Sequence, residues 1–203
     1  MTDVARPIFT VIGGPNGSGK STLTAMLRKQ GFAVPIIDPD AIARELNPGA
    51  PEAAAIEAGR EALARQAAHL ASGMSFAIET TLAGNMALRH MEQARQRGFA
   101  TELLFIAIED VRTNIERVVG RVERGGHHVP AVGVRRRYAR GMANLVPAID
   151  RADRVTIFDN STDQGLRVVL TIEEGNLVRH VRPSELPMWV ATHLGTLLSS
   201  VRE

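Results

Sequence analysis

Apolar residues in this chain come in short continuous runs separated by amphipathic stretches, and most runs end at glycine or a polar cluster. Residues 7–12 (PIFTVI) form a β-rich run stopped by Gly13-Gly14. Leu23, Met26 and Leu27 follow at helical spacing, which predicts strand, loop and helix. Residues 33–37 predict a second strand with Asp38-Pro39-Asp40 at its C-terminal end. Asp40 is there the expected cap of a short helix through Leu46, which Asn47-Pro48-Gly49 breaks. The alanine-rich residues 51–72 predict a long helix ended by Gly73. Residues 75–78 predict a third strand ending in Glu79-Thr80-Thr81, and residues 86–96 a helix closed by Gly98. Residues 101–108 (TELLFIAI) are nearly all apolar and suit a strand buried on both faces.

The second half continues the alternation. Residues 110–123 are amphipathic, with Ile115, Val118, Val119 and Val122 on one side, until Gly125-Gly126-His127-His128-Val129-Pro130 interrupts them as a candidate lid. A helix over 132–144 leads to a fifth strand at 154–158, ending in Asp159-Asn160-Ser161. Residues 166–172 and 177–181 flank Glu173-Glu174-Gly175-Asn176 as a hairpin, and a last helix covers 184–198. Strands alternating with helices predict an α/β fold: a three-layer α/β/α P-loop architecture around a mostly parallel five-stranded sheet. A helical lid spans about 112–144, and the C-terminal hairpin and helix (about 166–200) are an appended edge element. Residues 1–203 read as one domain, since no linker or repeat divides them.

Composition narrows the chemistry. The chain has no cysteine, so disulfides, thiolate nucleophiles and cysteine zinc sites are excluded. No apolar run approaches the roughly 18 residues of a membrane span, and residues 1–7 lack the features of a signal peptide, so a cytoplasmic location without a membrane partner is expected. The net charge is only +2, and Lys20 and Lys29 are the only lysines. That balance does not suggest a nucleic-acid partner. Arginine is concentrated instead: eight lie between Arg112 and Arg140, against Glu116 and Glu123, a cluster suited to an anion or to a solvated helix face.

Gly14-Pro15-Asn16-Gly17-Ser18-Gly19-Lys20-Ser21 fits G-x-x-x-x-G-K-[ST] between a predicted strand and a predicted helix. In such a cradle, which Thr22 extends, backbone N–H groups turn around a phosphate beside the positive end of the helix dipole. Lys20 reaches the β- and γ-oxygens, and the Ser21 hydroxyl holds Mg²⁺. ATP and Mg²⁺ are therefore the expected ligands. Guanine recognition by an Asn-Lys-x-Asp motif is impossible with both lysines at or near the loop.

In an open parallel sheet, Asp40 after strand two and Glu79 at the end of strand three converge on one cleft at the carboxyl edge. Phosphoryl transfer needs a group that takes or orients the acceptor's proton. Asp40 is the first candidate for that base and Asp38 the rival, while Asp40 as a helix cap alone is the plain alternative. Glu79 is a candidate for Mg²⁺, directly or through water, and for substrate, with a purely structural residue at a strand end as the plain alternative. Thr81 is a candidate substrate contact, or a residue that simply suits β-structure. Arg121 and Arg124, nearest the glycine break, are candidates for stabilising the transferring phosphoryl group; Arg117 is either a third or a solvated neighbour. Arg135, Arg136, Arg137 and Arg140 either hold substrate phosphates or form a solvated face. His127 and His128, being adjacent, point apart and make a poor metal site.

Together these segments resemble zeta toxins, P-loop kinases of toxin–antitoxin systems that phosphorylate UDP-N-acetylglucosamine. The resemblance rests on Gly13 to Thr22, Asp38-Pro39-Asp40-Ala41-Ile42-Ala43, Ser75 to Leu82, Arg121 to Pro130, Arg136-Arg137-Tyr138 and Asp159-Asn160-Ser161. It implies ATP as donor, Asp40 as base on the amino sugar's 3-hydroxyl, Glu79 near metal and substrate, and lid arginines at Arg121 and Arg124. A partner antitoxin is implied as well. With six residues before the first strand, the chain is similar to a shorter, chromosomal type of member. The alternatives are a kinase for another small molecule (antibiotic, nucleoside or metabolite) and a non-catalytic ATP-binding regulatory module.

Overall fold

The computed structural model describes residues 6–122 and 129–200, and its strands form one seven-stranded sheet. β1 (Ile8–Gly13), β2 (Ile36–Ile37), β3 (Phe76–Thr80), β4 (Ala100–Ala107) and β5 (Arg154–Asp159) are parallel, in the order β2-β3-β1-β4-β5. β6 (Arg167–Glu173) and β7 (Asn176–Arg179) continue the sheet beyond β5, both antiparallel to their neighbours. The parallel core thus has the five strands expected, but the hairpin is part of the same sheet rather than an appendage. The physical reason is the short link from β5 to β6: with no crossover helix in it, the chain returns antiparallel on the free edge. β2 keeps only two of the five residues expected of it. Pro35, which has no N–H, still accepts from Ala77 N–H at 2.8 Å through its carbonyl but cannot extend the ladder as a donor.

Alternation along the strands covers the sheet on both sides. One face buries Phe9, Val11, Phe76, Ile78, Leu103, Phe105 and Ile157 against α3 (Ala55–Ser72), α4 (Met86–Gln96), α7 (Leu145–Ile149) and α8 (Met188–Ser200). The other buries Ile12, Ala77, Leu104, Ile106 and Phe158 against Leu23 of α1 (Lys20–Lys29). Strands buried on both faces are the pattern of parallel sheets, and the result is the three-layer α/β/α fold. α5 (Val111–Val122) and α6 (Ala131–Ala143) pack on each other through Val118, Val129 and Val134. The predicted glycine break between them, with Arg124, lies outside the described residues.

Several boundaries differ from expectation. The helix predicted over 51–72 begins as a 3₁₀ turn, Pro51–Ala54, before α3. The last helix starts at Met188, because Pro187 separates it from a 3₁₀ turn at Pro183–Glu185. No helix among the described residues is long and apolar enough to cross a membrane.

Candidate active site

The carboxyl ends of β1, β2, β3 and β5 open into a cleft of about 770 Å³, within the range of small-molecule sites. Its walls include Asn16, Gly17, Gly19, Lys20, Ser21 and Thr22 of the cradle. Gly14, Pro15 and Ser18 stand behind that surface and build the turn. Gly14 N–H donates to Thr80 O at 3.2 Å, and Ser18 N–H to Pro15 O at 3.2 Å. Lys20 Nζ donates to the carbonyls of Gly14 (2.9 Å) and Pro15 (3.2 Å), which holds the ammonium across the mouth of the loop. α1 begins at Lys20 with no acidic residue in its first turn, so the positive end of its dipole is uncompensated.

Across from the cradle, the chain leaves β2 and turns into α2 (Pro39–Leu46). Asp38, not Asp40, is the cap: its Oδ1 accepts from Asp40 N–H at 2.9 Å, and Pro39 takes the first helical position. Proline favours that position because it needs no N–H partner there, a signal already legible in Asp38-Pro39-Asp40. Asp40 is left in the first turn with an exposed side chain, on the cleft wall beside Asp38 and Glu79.

Electrostatics link the groups. Burial lowers the pKa of Lys20 below 10.5, while Glu79, Asp40 and Asp38 oppose that shift by attraction and Arg121 adds to it. Burial raises the Glu79 carboxyl above 4.5; Lys20 counteracts this, and repulsion from Asp38 and Asp40 reinforces it. Asp38 is likewise raised, chiefly by burial, against the pull of its bond from Asp40 N–H. A crowd of carboxylates around one ammonium is a setting that a divalent cation relieves.

The hard oxygen donors Ser21 and Glu79 both line the cleft and suit Mg²⁺. Among the described residues no three acidic or histidine side chains form a cage.

Thr81 also lines the cleft, at the point where the chain leaves β3 through Leu82, a buried residue with φ of 56°. Asn144 Nδ2 holds the Leu82 carbonyl at 2.8 Å, and Gly141 packs so closely that a Cβ there would stand 2.7 Å from Thr81 O.

From the arginine cluster, the cleft receives Arg117, Arg121 and Arg137. Arg117 Nη2 donates to Asn160 O at 3.2 Å and Arg137 Nη1 to Asn16 Oδ1 at 3.4 Å, so neither is merely a solvated charge. Arg135, Arg136 and Arg140 are exposed and do not line it. Glu116, Gly120, Asn114 and Asn160 are given no individual site role by the sequence reading, yet Glu116, Gly120 and Asn160 line the cleft and the two asparagines bond the cradle. Helical spacing could have found Gly120, three residues after Arg117, and Glu116, four before Gly120; Asn160 is marked by its place in Asp159-Asn160-Ser161 after the fifth strand, while nothing local marks Asn114.

An uncharacterized protein of Haemophilus influenzae is 38% identical over 125 residues, 62% of this chain and 88% of that one. A chain of the AvrRxo1-ORF1:ORF2 complex crystallised with ATP superposes with a TM-score of 0.69 at 18% identity, covering 88% of this chain. This chain spans 62% of the length of that one. A chain of the PezAT chromosomal toxin–antitoxin system of Streptococcus pneumoniae matches with a TM-score of 0.59 at 19% identity, over 76% of this chain and 68% of that one. At such identities the two structures speak for the fold. The family model for zeta toxin matches residues 1–166, and the chain belongs to the zeta toxin family.

Proposed function

We propose that the chain is a phosphotransferase that moves the γ-phosphate of ATP to a hydroxyl of a sugar nucleotide, with UDP-N-acetylglucosamine as the acceptor. One observation carries the reading: a phosphate cradle, four carboxylates (Asp38, Asp40, Glu79 and Glu116) and three arginines share one cleft. Cradle and helix dipole suit a polyphosphate, the arginines suit a phosphoryl group in transfer, and a carboxylate suits an alcohol that must lose a proton.

In this reading Asp40 accepts the proton of the acceptor hydroxyl as its oxygen attacks the γ-phosphorus. The bond from γ-phosphorus to the bridging oxygen breaks, and ADP leaves with that oxygen. Lys20 turns from the Gly14 and Pro15 carbonyls to the phosphates, while Arg117 and Arg121 face the charge spread over the equatorial oxygens. Mg²⁺, held by Ser21 and Glu79 when bound, neutralises charge on the polyphosphate. Thr81, on the wall beyond Glu79, orients the acceptor. Membership of the zeta toxin family supports the choice of acceptor and, as a further part of the proposal, a protein antitoxin as partner.

The test is direct. Purified protein with Mg-ATP and UDP-N-acetylglucosamine should give ADP and a product heavier by one phosphate. ATP binding with no phosphorylated product, while another small alcohol in an acceptor panel is phosphorylated, would overturn the choice of acceptor. Binding with no product from any acceptor would overturn the enzymatic reading.

A further inference from the structure

Two asparagine side chains grip the phosphate loop from outside the loop itself, and the reaction above uses neither. Asn114, fully buried on α5, donates from Nδ2 to the carbonyl of Asn16 at 2.7 Å. Asn160, the residue after β5, donates from Nδ2 to the carbonyl of Ser18 at 2.8 Å. The loop's peptide bonds are all trans. A trans peptide plane points its C=O and the next N–H in opposite directions. Tying down the carbonyls of Asn16 and Ser18 therefore turns the N–H groups of Gly17 and Gly19 away from the asparagines, and both glycines line the cleft.

The contacts are close enough to dictate residue types. A Cβ at Gly17 (φ 77°) would stand 2.6 Å from the Asn114 carbonyl oxygen, and one at Gly19 (φ 110°) would stand 2.5 Å from Asn160 Nδ2. These two glycines are thus needed for the grip of α5 and Asn160 on the loop, not only for a phosphate on its other side.

Asn160 is itself braced. Its N–H donates to Ala107 O at 3.0 Å, and its carbonyl accepts from Arg117. Its neighbour Asp159 is buried and accepts from Trp189 Nε1 at 3.0 Å and from Arg167 Nε at 3.2 Å. Trp189 lies on α8, beyond residue 166 where the zeta toxin match ends. The C-terminal hairpin and helix therefore reach the phosphate loop through two consecutive residues.

We propose that Asn114 and Asn160 are positioning residues that hold the Gly17 and Gly19 amides ready for the nucleotide's polyphosphate, with Asn160 set in place by the bond from Trp189 to Asp159. This rests on the reading that the cleft binds ATP. A loop held in its binding geometry beforehand spends less affinity on ordering itself.

The experiment is calorimetric titration of the whole chain with ATP and with inorganic tripolyphosphate, which carries no base, alongside thermal unfolding. Asn160→Ala removes the donor without adding charge. It should weaken both ligands about tenfold, while the unfolding temperature falls by no more than the roughly 2 to 4 °C that one lost hydrogen bond costs in a chain of this length. Trp189→Phe keeps one aromatic ring in the core but removes the donor to Asp159 together with part of the buried indole; read beside its own unfolding temperature, it should weaken tripolyphosphate in the same direction by about threefold. The proposal is overturned if a folded Asn160→Ala binds tripolyphosphate as wild type does. If Asn160→Ala does not fold, unchanged tripolyphosphate affinity in Trp189→Phe overturns it. A wild-type chain that binds neither ligand overturns the ATP reading and this proposal together, whereas a chain that binds both but transfers no phosphate leaves the asparagine test intact.

Discussion

Asp38 and Asp40 stand two residues apart on one cleft wall, and replacing them singly separates structure from chemistry. Asp38→Ala deletes the carboxylate that accepts Asp40 N–H at 2.9 Å and caps α2, a loss worth about 1 kcal/mol. It also deletes the 3.7 Å contact with Arg44, whose side chain is 57% exposed, worth about 0 to 1 kcal/mol. Part of this is offset, because the ionised Asp38 carboxyl bears the burial cost that raises its pKa. The net loss is about 1 kcal/mol, or about 2 to 4 °C in Tm for a chain of this length. Asp38→Asn keeps a capping oxygen and should unfold close to wild type. Asp40→Asn changes an exposed side chain and should move stability by less than about 0.5 kcal/mol. Loss of a general base should nevertheless slow transfer by about 10²- to 10⁴-fold with ATP affinity nearly unchanged. ADP release in the presence of acceptor, read beside thermal unfolding, measures both effects. An Asp38→Asn variant that is dead in transfer beside an active Asp40→Asn would reverse the roles and refute the reasoning.

Glu79 gives a pH test. Because its folded pKa lies above 4.5, the kcat/KM for ATP should fall on acidification at higher pH than an ordinary carboxylate would cause, and Glu79→Gln should alter that limb. The folded chain also holds this proton longer than the unfolded one. The stability of wild type relative to Glu79→Gln should therefore decline as pH rises from 4.5 through the folded value, then level off; urea titrations across that window report the slope. Tyr138, the single tyrosine, donates to Ile108 O at 2.9 Å, and burial pushes its pKa up to about 12. Its phenolate absorbance should appear only near that pH in the folded protein, and Tyr138→Phe should cost about 0.5 to 1.5 kcal/mol in denaturant titrations. Gly141→Ala forces a methyl against Thr81 O at 2.7 Å; about 1 to 3 kcal/mol of stability and a raised KM for acceptor should follow, measured by unfolding and by initial rates.

What the amino-acid sequence determined by itself is whatever depends on near neighbours. The cradle from Gly14 to Thr22, the alternation of strand and helix, and the double burial of β4 are set by glycines, spacing and apolar runs within a few residues of one another. Even the capping by Asp38 was present locally, in the proline that follows it. What only the tertiary structure decided is which distant groups meet. Asn114 reaches Asn16 across 98 positions, and Asn160 reaches Ser18 across 142. Arg137 faces the cleft while Arg135 and Arg136 beside it face solvent, a choice made by how α6 packs on α5 through Val134. The hairpin joins the main sheet because β5 offers a free edge where the chain turns back. Such contacts depend on the packing of whole elements, and no local period in a sequence records it.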